Sequence, residues 1–404
     1  MFRKMLFLLL IATLMLSACS KLEVSLDQTL TPGLDSGEVA TVVAATMETI
    51  PSATPTPEAS SVLPRSLYYL GAVNSETGLG QIYRLSRDGL ANTQITSESM
   101  GVTGFDVSPI DGQLAYTAGN QLILTDANGE NHRVLADNLT MQYEPRWSPD
   151  GQIIAYANNG IYFYALETNI STLMLSNDAR NIYSPIGFSP NVSNLMISIK
   201  TLGIGEKLRL AGIGIYNIPS DAVAILQASE PKGYRLCCSP STWAIDSNHI
   251  YVSDWITAGG TIGMRTPGLW RYSLDGIGIA LLPTTTSSGE YIYNKTAAPR
   301  DDVNGNITYF FSAPETGINA YTPFSLVRSN ADGLSNRVVL RPETFHVTDV
   351  SLWAHDGSAV IIIQNDGQSN RFDNMVLIPV DPSKPVVTLL ADASKLGQTL
   401  RWGP

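Results

Sequence analysis

The residues able to do chemistry are few and mostly isolated. The four histidines, His132, His249, His346 and His355, form no His-Glu-x-x-His pair or other closely spaced ligand set, and three of them sit among turn formers. Surface or turn histidine is the expectation. Asp302-Val303-Asn304-Gly305-Asn306 opens with the carboxylate and amide spacing of a calcium loop. However, Ile307 stands where the sharp turn needs glycine, and Ala313 where a bidentate glutamate belongs. An Asn-Gly hairpin turn is the better reading, and the polar stretch from Asp366 to Asp373 is a loop on the same argument. No metal and no cofactor are expected. Of the three cysteines, Cys237 and Cys238 are adjacent. Two buried thiols in a strand is the plainer reading, a strained vicinal disulfide the alternative. No Gly-x-Ser-x-Gly elbow occurs, so serine-hydrolase chemistry is not expected, and no catalytic residue is assigned.

One polar set has a regular spacing. Thr103, Tyr143, Ser184, Ser239, Tyr293, Asp349 and Gln398 each stand four positions before a recurring anchor residue. If the anchors begin the inner strands of a ring, these residues form a rim at one mouth of its channel. Tyr143, Ser184, Tyr293, Asp349 and Gln398 are the candidate ligand or partner contacts there. The ordinary polarity of loops that lead into strands explains the same row.

The elements that would position this row are repeats. The clearest unit is Arg146-Trp147-Ser148-Pro149-Asp150-Gly151, running on into Ile154-Ala155-Tyr156. Variants begin at Val107, Phe188, Trp243, Ala298-Pro299 and Trp353. Each is followed by a short apolar or aromatic run, at Ile82, Leu122, Ile161, Ile213, Leu269, Ser325 and Met375, several ending in Asp-Gly or Asn-Gly. Those pairs tolerate the positive φ of tight hairpin turns. Seven second halves face six first halves. The missing one is Leu400-Arg401-Trp402 at the C-terminus, whose continuation is Leu67-Tyr68-Tyr69-Leu70 near the start. A ring closed by pairing the terminal strands joins both loose ends and leaves only short sheet edges. The 339 residues from Ser66 to Pro404 give about 48 per repeat, within the range of propeller blades. The expected fold is all-β: a seven-bladed β-propeller, with six or eight blades as alternatives.

The Trp-Ser-Pro-Asp-Gly unit followed by Ile-Ala-Tyr resembles the TolB-like, WD40-like (PD40) propeller repeat, over about residues 66–404. The same propeller accompanies prolyl-oligopeptidase-type peptidases, so the resemblance specifies a fold more than a function.

Ahead of the repeats, Arg3 and Lys4 precede the apolar run Met5 to Leu16, too short to span a bilayer as a helix. Leu16-Ser17-Ala18-Cys19 then resembles the bacterial lipobox, which implies cleavage before Cys19 and a lipid on its thiol. The domain expectation is a lipoprotein signal peptide over 1–18, a Pro/Thr/Ser-rich tether over 19–65, and the propeller over 66–404. The chain has 404 residues, 44% of them hydrophobic and 15% charged, a composition opposite to that of disordered proteins. Its 25 Lys+Arg against 36 Asp+Glu give a net charge of −11, with no basic stripe for nucleic acid. The expected role is a binding or interaction scaffold, held by Cys19 on the extracytoplasmic face of the membrane, on the outer membrane where the envelope has one. Envelope proteins, peptides or glycans are its possible partners. The alternative is a propeller enzyme, a glycan lyase or hydrolase or a peptidase-like protein, acting at the channel mouth.

Overall fold

Runs such as Leu67–Gly71, Leu114–Ala118 and Ile307–Phe311 are buried at every position rather than at alternate ones. A strand of this kind needs a sheet covered on both faces. In the computed structural model this cover comes from neighbouring sheets. The structure describes residues 61–404 except 75, 78, 203–207, 229–240, 254–268, 282–298, 313–322, 334 and 368–371. Cys19, the signal and most of the tether, Cys237-Cys238, Ser239 and Tyr293 lie outside the described residues.

Twenty-nine strands, β1 to β29 in chain order, are described and form seven sheets. Six sheets are built from consecutive strands. They cover 102–136 (β4–β7), 146–176 (β8–β11), 181–225 (β12–β15), 241–280 (β17–β20), 300–345 (β21–β24) and 347–390 (β25–β28). The fifth blade gains an extra edge strand, β16 (Gln227–Ala228), parallel to β20 (Ile277–Ala280). The seventh sheet joins the ends of the chain: β29 (Leu400–Trp402) pairs antiparallel with β1 (Leu67–Gly71), and β2 (Gln81–Leu85) and β3 (Asn92–Gln94) follow outward. In that closure Leu67 faces Trp402 and Tyr69 faces Leu400. This is the join expected from the two loose ends of the repeat.

Seven hydrophobic clusters among the described residues each combine residues of two neighbouring blades. Tyr68 and Ile82 of blade one meet Phe105 and Tyr116 of blade two. Around the ring, Leu377 and Met375 of blade seven meet Leu67 and Leu400 of blade one. Because the last cluster returns to the first blade, the ring is closed with seven members. The fold is a seven-bladed β-propeller. Leu63, 1% exposed, belongs to the closing cluster, and its N–H donates to the Arg87 carbonyl at 2.8 Å.

The Ser-Pro-Asp-Gly turns set the register within a blade. The Ser148 hydroxyl donates to Asp150 and accepts from the Ile153 N–H at 2.9 Å, while Gly151 takes a φ of 68° that a side chain would resist. Blade six departs from the expected register. Its turn begins at Asp302, whose N–H donates to the Asn306 carbonyl as the Ser148 N–H does to that of Ile153. Its inner strand is therefore β21 (Arg300–Asp301), and Asp301, not a residue near Ala298-Pro299, occupies the anchor position. Tyr293 consequently does not stand four positions before that anchor. The Asp302 carboxylate accepts from the Asn304 and Asn306 N–H groups at 2.8 and 3.0 Å and from the Asn306 side chain at 3.0 Å, as a turn former does.

Candidate functional site

The innermost strands are β29, β4 (Val102–Val107), β8 (Arg146–Trp147), β12 (Asn181–Phe188), β17 (Ser241–Trp243), β21 and β25 (Val347–Trp353). Adjacent side chains on a strand point to opposite faces, so each inner strand reaches both of its neighbours. The anchor reaches back. The indole N–H of Trp402 donates to the Trp353 carbonyl of blade seven at 2.8 Å, and that of Trp243 to the Gly187 carbonyl of blade four at 3.0 Å. Asp301 in the same position accepts from the Ile245 N–H of blade five at 3.0 Å. Burial raises its carboxyl pKa.

The residue before the anchor reaches forward, and here charge accumulates. Arg401 Nε of blade one donates to Asp106 Oδ1 of blade two at 2.7 Å. Asp106 Oδ2 accepts from the Trp147 N–H of blade three at 2.8 Å. Arg146 donates to the Ile186 carbonyl of blade four, and Arg300 to the His355 carbonyl of blade seven, the latter at 2.7 Å. Glu144 joins the first group: it pairs with Arg146, accepts from Arg401 at 3.1 Å, and accepts on its other oxygen from the Thr399 hydroxyl. Two acids and two arginines thus form a neutral network along the inner strands of blades one to three, where the ends of the chain meet. Burial alone would raise the Glu144 carboxyl, but the two guanidiniums and the Thr399 hydroxyl outweigh it and hold the group at about 2. Against the burial that would lower it, the carboxylates of Asp106 and Glu144 raise Arg401 above its ordinary value. Arg146 is lowered by burial and by the nearby charge of Arg401.

Connections alternate between the two ends of an antiparallel blade. The Ser-Pro-Asp-Gly turns therefore lie at one end, and the segments leading into the inner strands lie at the other. Tyr143 is at this second mouth. Its backbone carbonyl accepts from Thr117 at 3.4 Å, and its hydroxyl accepts from Lys200 Nζ at 3.1 Å. The ammonium also lies 4.3 Å from the centre of the Tyr143 ring, a cation–π contact. Lys200 makes no ion pair with a carboxylate among the described residues. The Thr103 hydroxyl donates to the side-chain oxygen of Gln142, the residue before Tyr143, at 2.5 Å. The other described members of the sequence-derived row are Ser184, Gln398 and Asp349. Ser184 is buried, its hydroxyl 2.8 Å from that of Ser198, and so spends itself between β12 and its neighbour. Gln398 is exposed, next to Thr399. Asp349 lies on β25.

Of the row four residues before the anchors, Tyr143 stands beside Lys200, and the charged network lies outside the row. Asp106, Arg146 and Arg401 stand one residue before their anchors, and Glu144 three before Trp147. No three His, Cys, Asp or Glu side chains among the described residues group as a metal site. His249 Nδ1 lies 3.0 Å from Asp246 within a surface turn. No described helix is long and apolar enough to cross a membrane.

With this geometry in view, comparison with solved structures returns the propeller. An oligogalacturonate lyase from Vibrio parahaemolyticus superimposes with a TM-score of 0.52 at 11% identity, over 80% of this chain and 85% of that one. A manganese-bound oligogalacturonate lyase gives 0.51 at 10% identity, over 78% and 81%. TolB from Acinetobacter baumannii gives 0.40 at 17% identity, over 67% of this chain and 62% of that one. At these identities the likeness is one of fold alone. No protein-family model and no curated relative matches the sequence.

Proposed function

We propose that the chain is a lipid-anchored binding module of the bacterial cell envelope, its propeller carried by Cys19 on the tether over 19–65 and its ligand met at the mouth formed by Tyr143 and Lys200. The observation that supports binding over catalysis is the saturation of the two acids of the charged network in blades one to three. Asp106 and Glu144 each have both oxygens occupied by arginine, threonine or backbone donors. A carboxylate held at about 2 is a poor proton acceptor at neutral pH. What the mouth offers instead is an aromatic ring and an ammonium without a carboxylate partner among the described residues, groups that hold a ligand without moving its protons. The anchor part of the reading rests on Arg3, Lys4 and the Leu16-Ser17-Ala18-Cys19 box; metabolic acyl labelling should mark the wild type and be absent from C19S. Thermal-shift titration against oligosaccharides, peptides and envelope extracts tests the mouth. A stabilising ligand should lose at least tenfold in affinity in Y143A/K200M at an unchanged melting temperature in its absence. Unchanged affinity in that variant would sink the assignment of the mouth.

A further inference from the structure

Blade six contains a cavity away from the inner strands. The ladder between β23 (Phe324–Ser329) and β24 (Val338–Phe345) is irregular: Ser325 faces Thr344, but Val327, two residues on, faces Val339. The surplus residues of β24 include Arg341, 2% exposed, which donates to the carbonyls of Pro379, Asp381 and Lys384 in blade seven at 2.8 to 3.0 Å. The irregular strand is therefore pinned from behind and held open. A cavity of about 370 Å³ lies beside it, lined by Phe311, Ser312, Ser325, Val327, Arg337 and Val339 among others.

Three polar side chains line it, those of Arg337, Ser312 and Ser325. The Arg337 guanidinium carbon lies 3.8 Å from the centre of the Phe311 ring, a cation–π contact, and the group also hydrogen-bonds Tyr309, so the fork is held in place with further N–H donors to spare. Ser312 is 8% exposed, and its hydroxyl and that of Ser325 make no hydrogen bond in the described structure.

We infer that this cavity is a ligand site for a small organic carboxylate. The planar guanidinium matches a carboxylate with two parallel N–H donors. The two serine hydroxyls donate to the same group or to its polar substituents, and Val327 and Val339 cover the carbon skeleton. The volume is at the low end of small-molecule sites, about 300 to 1,000 Å³, which suits a single sugar acid or one amino-acid residue. The inference is independent of the channel-mouth reading, since none of its residues is shared with that site.

Isothermal titration of the full-length chain tests it with four probes: galacturonate and its neutral counterpart galactose, and N-acetylvaline and its amide. At least one carboxylate should bind saturably while its neutral counterpart does not. R337Q should weaken that binding tenfold or more and S312A by a few fold, whereas K200M should leave it unchanged. Binding of galacturonate alone would assign a sugar acid, and of N-acetylvaline alone an amino acid or peptide terminus. No saturable binding of either carboxylate, equal binding by R337Q, or loss in K200M would overturn the assignment. Arg337 is exposed, so a melting curve suffices to show that R337Q folds.

Discussion

The two sides of the ring are built differently at one equivalent position. In blades one to three the residue before the anchor is Arg401, Asp106 or Arg146; in blades four, five and seven it is Gly187, Thr242 or Leu352, and in blade six it is Arg300, which bonds a backbone carbonyl and no carboxylate among the described residues. The first side is stitched by charge, the second by packing and single hydrogen bonds such as that from Trp243 to Gly187. The difference coincides with the closure. Blades two to seven hold their inner strands by continuous chain, whereas blade one, at the centre of the charged side, receives a three-residue strand from the far end of the sequence. A join so short, made without covalent continuity, gains from ion pairs that reach two further blades. The comparison teaches that Asp106 and Glu144 belong to the architecture of closure.

The comparison is most severely tested by removing the closing strand. Deleting residues 400–404 should expose Leu67 and Tyr69, buried at 0% and 3% exposure, and abolish cooperative melting followed by circular dichroism. A chain that still melts cooperatively near the wild-type temperature would show that blade one closes without β29. Next in size is the network itself. R401M and E144Q should each cost about 2–3 kcal/mol, because each leaves partly buried charge unpaired. In the double variant their costs should fall short of additivity by at least about 1 kcal/mol. Strict additivity would separate the two residues energetically and break the latch.

Acid sharpens the same point. The Glu144 pKa is lowered in the fold, so its contribution is fully present above the unfolded value of 4.5 and is lost as pH falls through about 2. That shift corresponds to roughly 2–3 kcal/mol after allowance for partial exposure. The melting temperatures of wild type and E144Q should differ near neutrality and converge below about pH 2; a gap constant with pH would assign the effect to packing. The smallest effect is expected on the opposite side of the ring, where T242V should change stability by less than about 0.5 kcal/mol. A loss as large as that of R401M would erase the contrast between the two sides.

Much of this architecture is legible in the sequence because turn chemistry repeats locally. Trp147-Ser148-Pro149-Asp150-Gly151 carries its own register, and Leu400-Arg401-Trp402 reads as the start of a unit that Leu67 continues. Blade six defeats the reading because Asp301 replaces the aromatic anchor and Asp302 the serine, so the eye settles on the nearby Ala298-Pro299. The charged network is hidden for another reason. Asp106 and Arg401 are 295 residues apart in the chain and 2.7 Å apart in the fold, a proximity created by ring closure and by nothing local. Ser184 shows the converse: a polar residue at the right spacing, spent on a neighbouring strand. Lys200, which completes the mouth with Tyr143, sits in no motif at all.

The most direct test of the claim that this propeller binds without turning over its ligand is native mass spectrometry of the intact chain with oligosaccharide and peptide panels. The account predicts a bound ligand that is released at its original mass, with the complex lost in Y143A/K200M. Recovery of a cleaved ligand, with cleavage abolished in an E144Q variant that still folds, would contradict it and make Glu144 a catalytic residue.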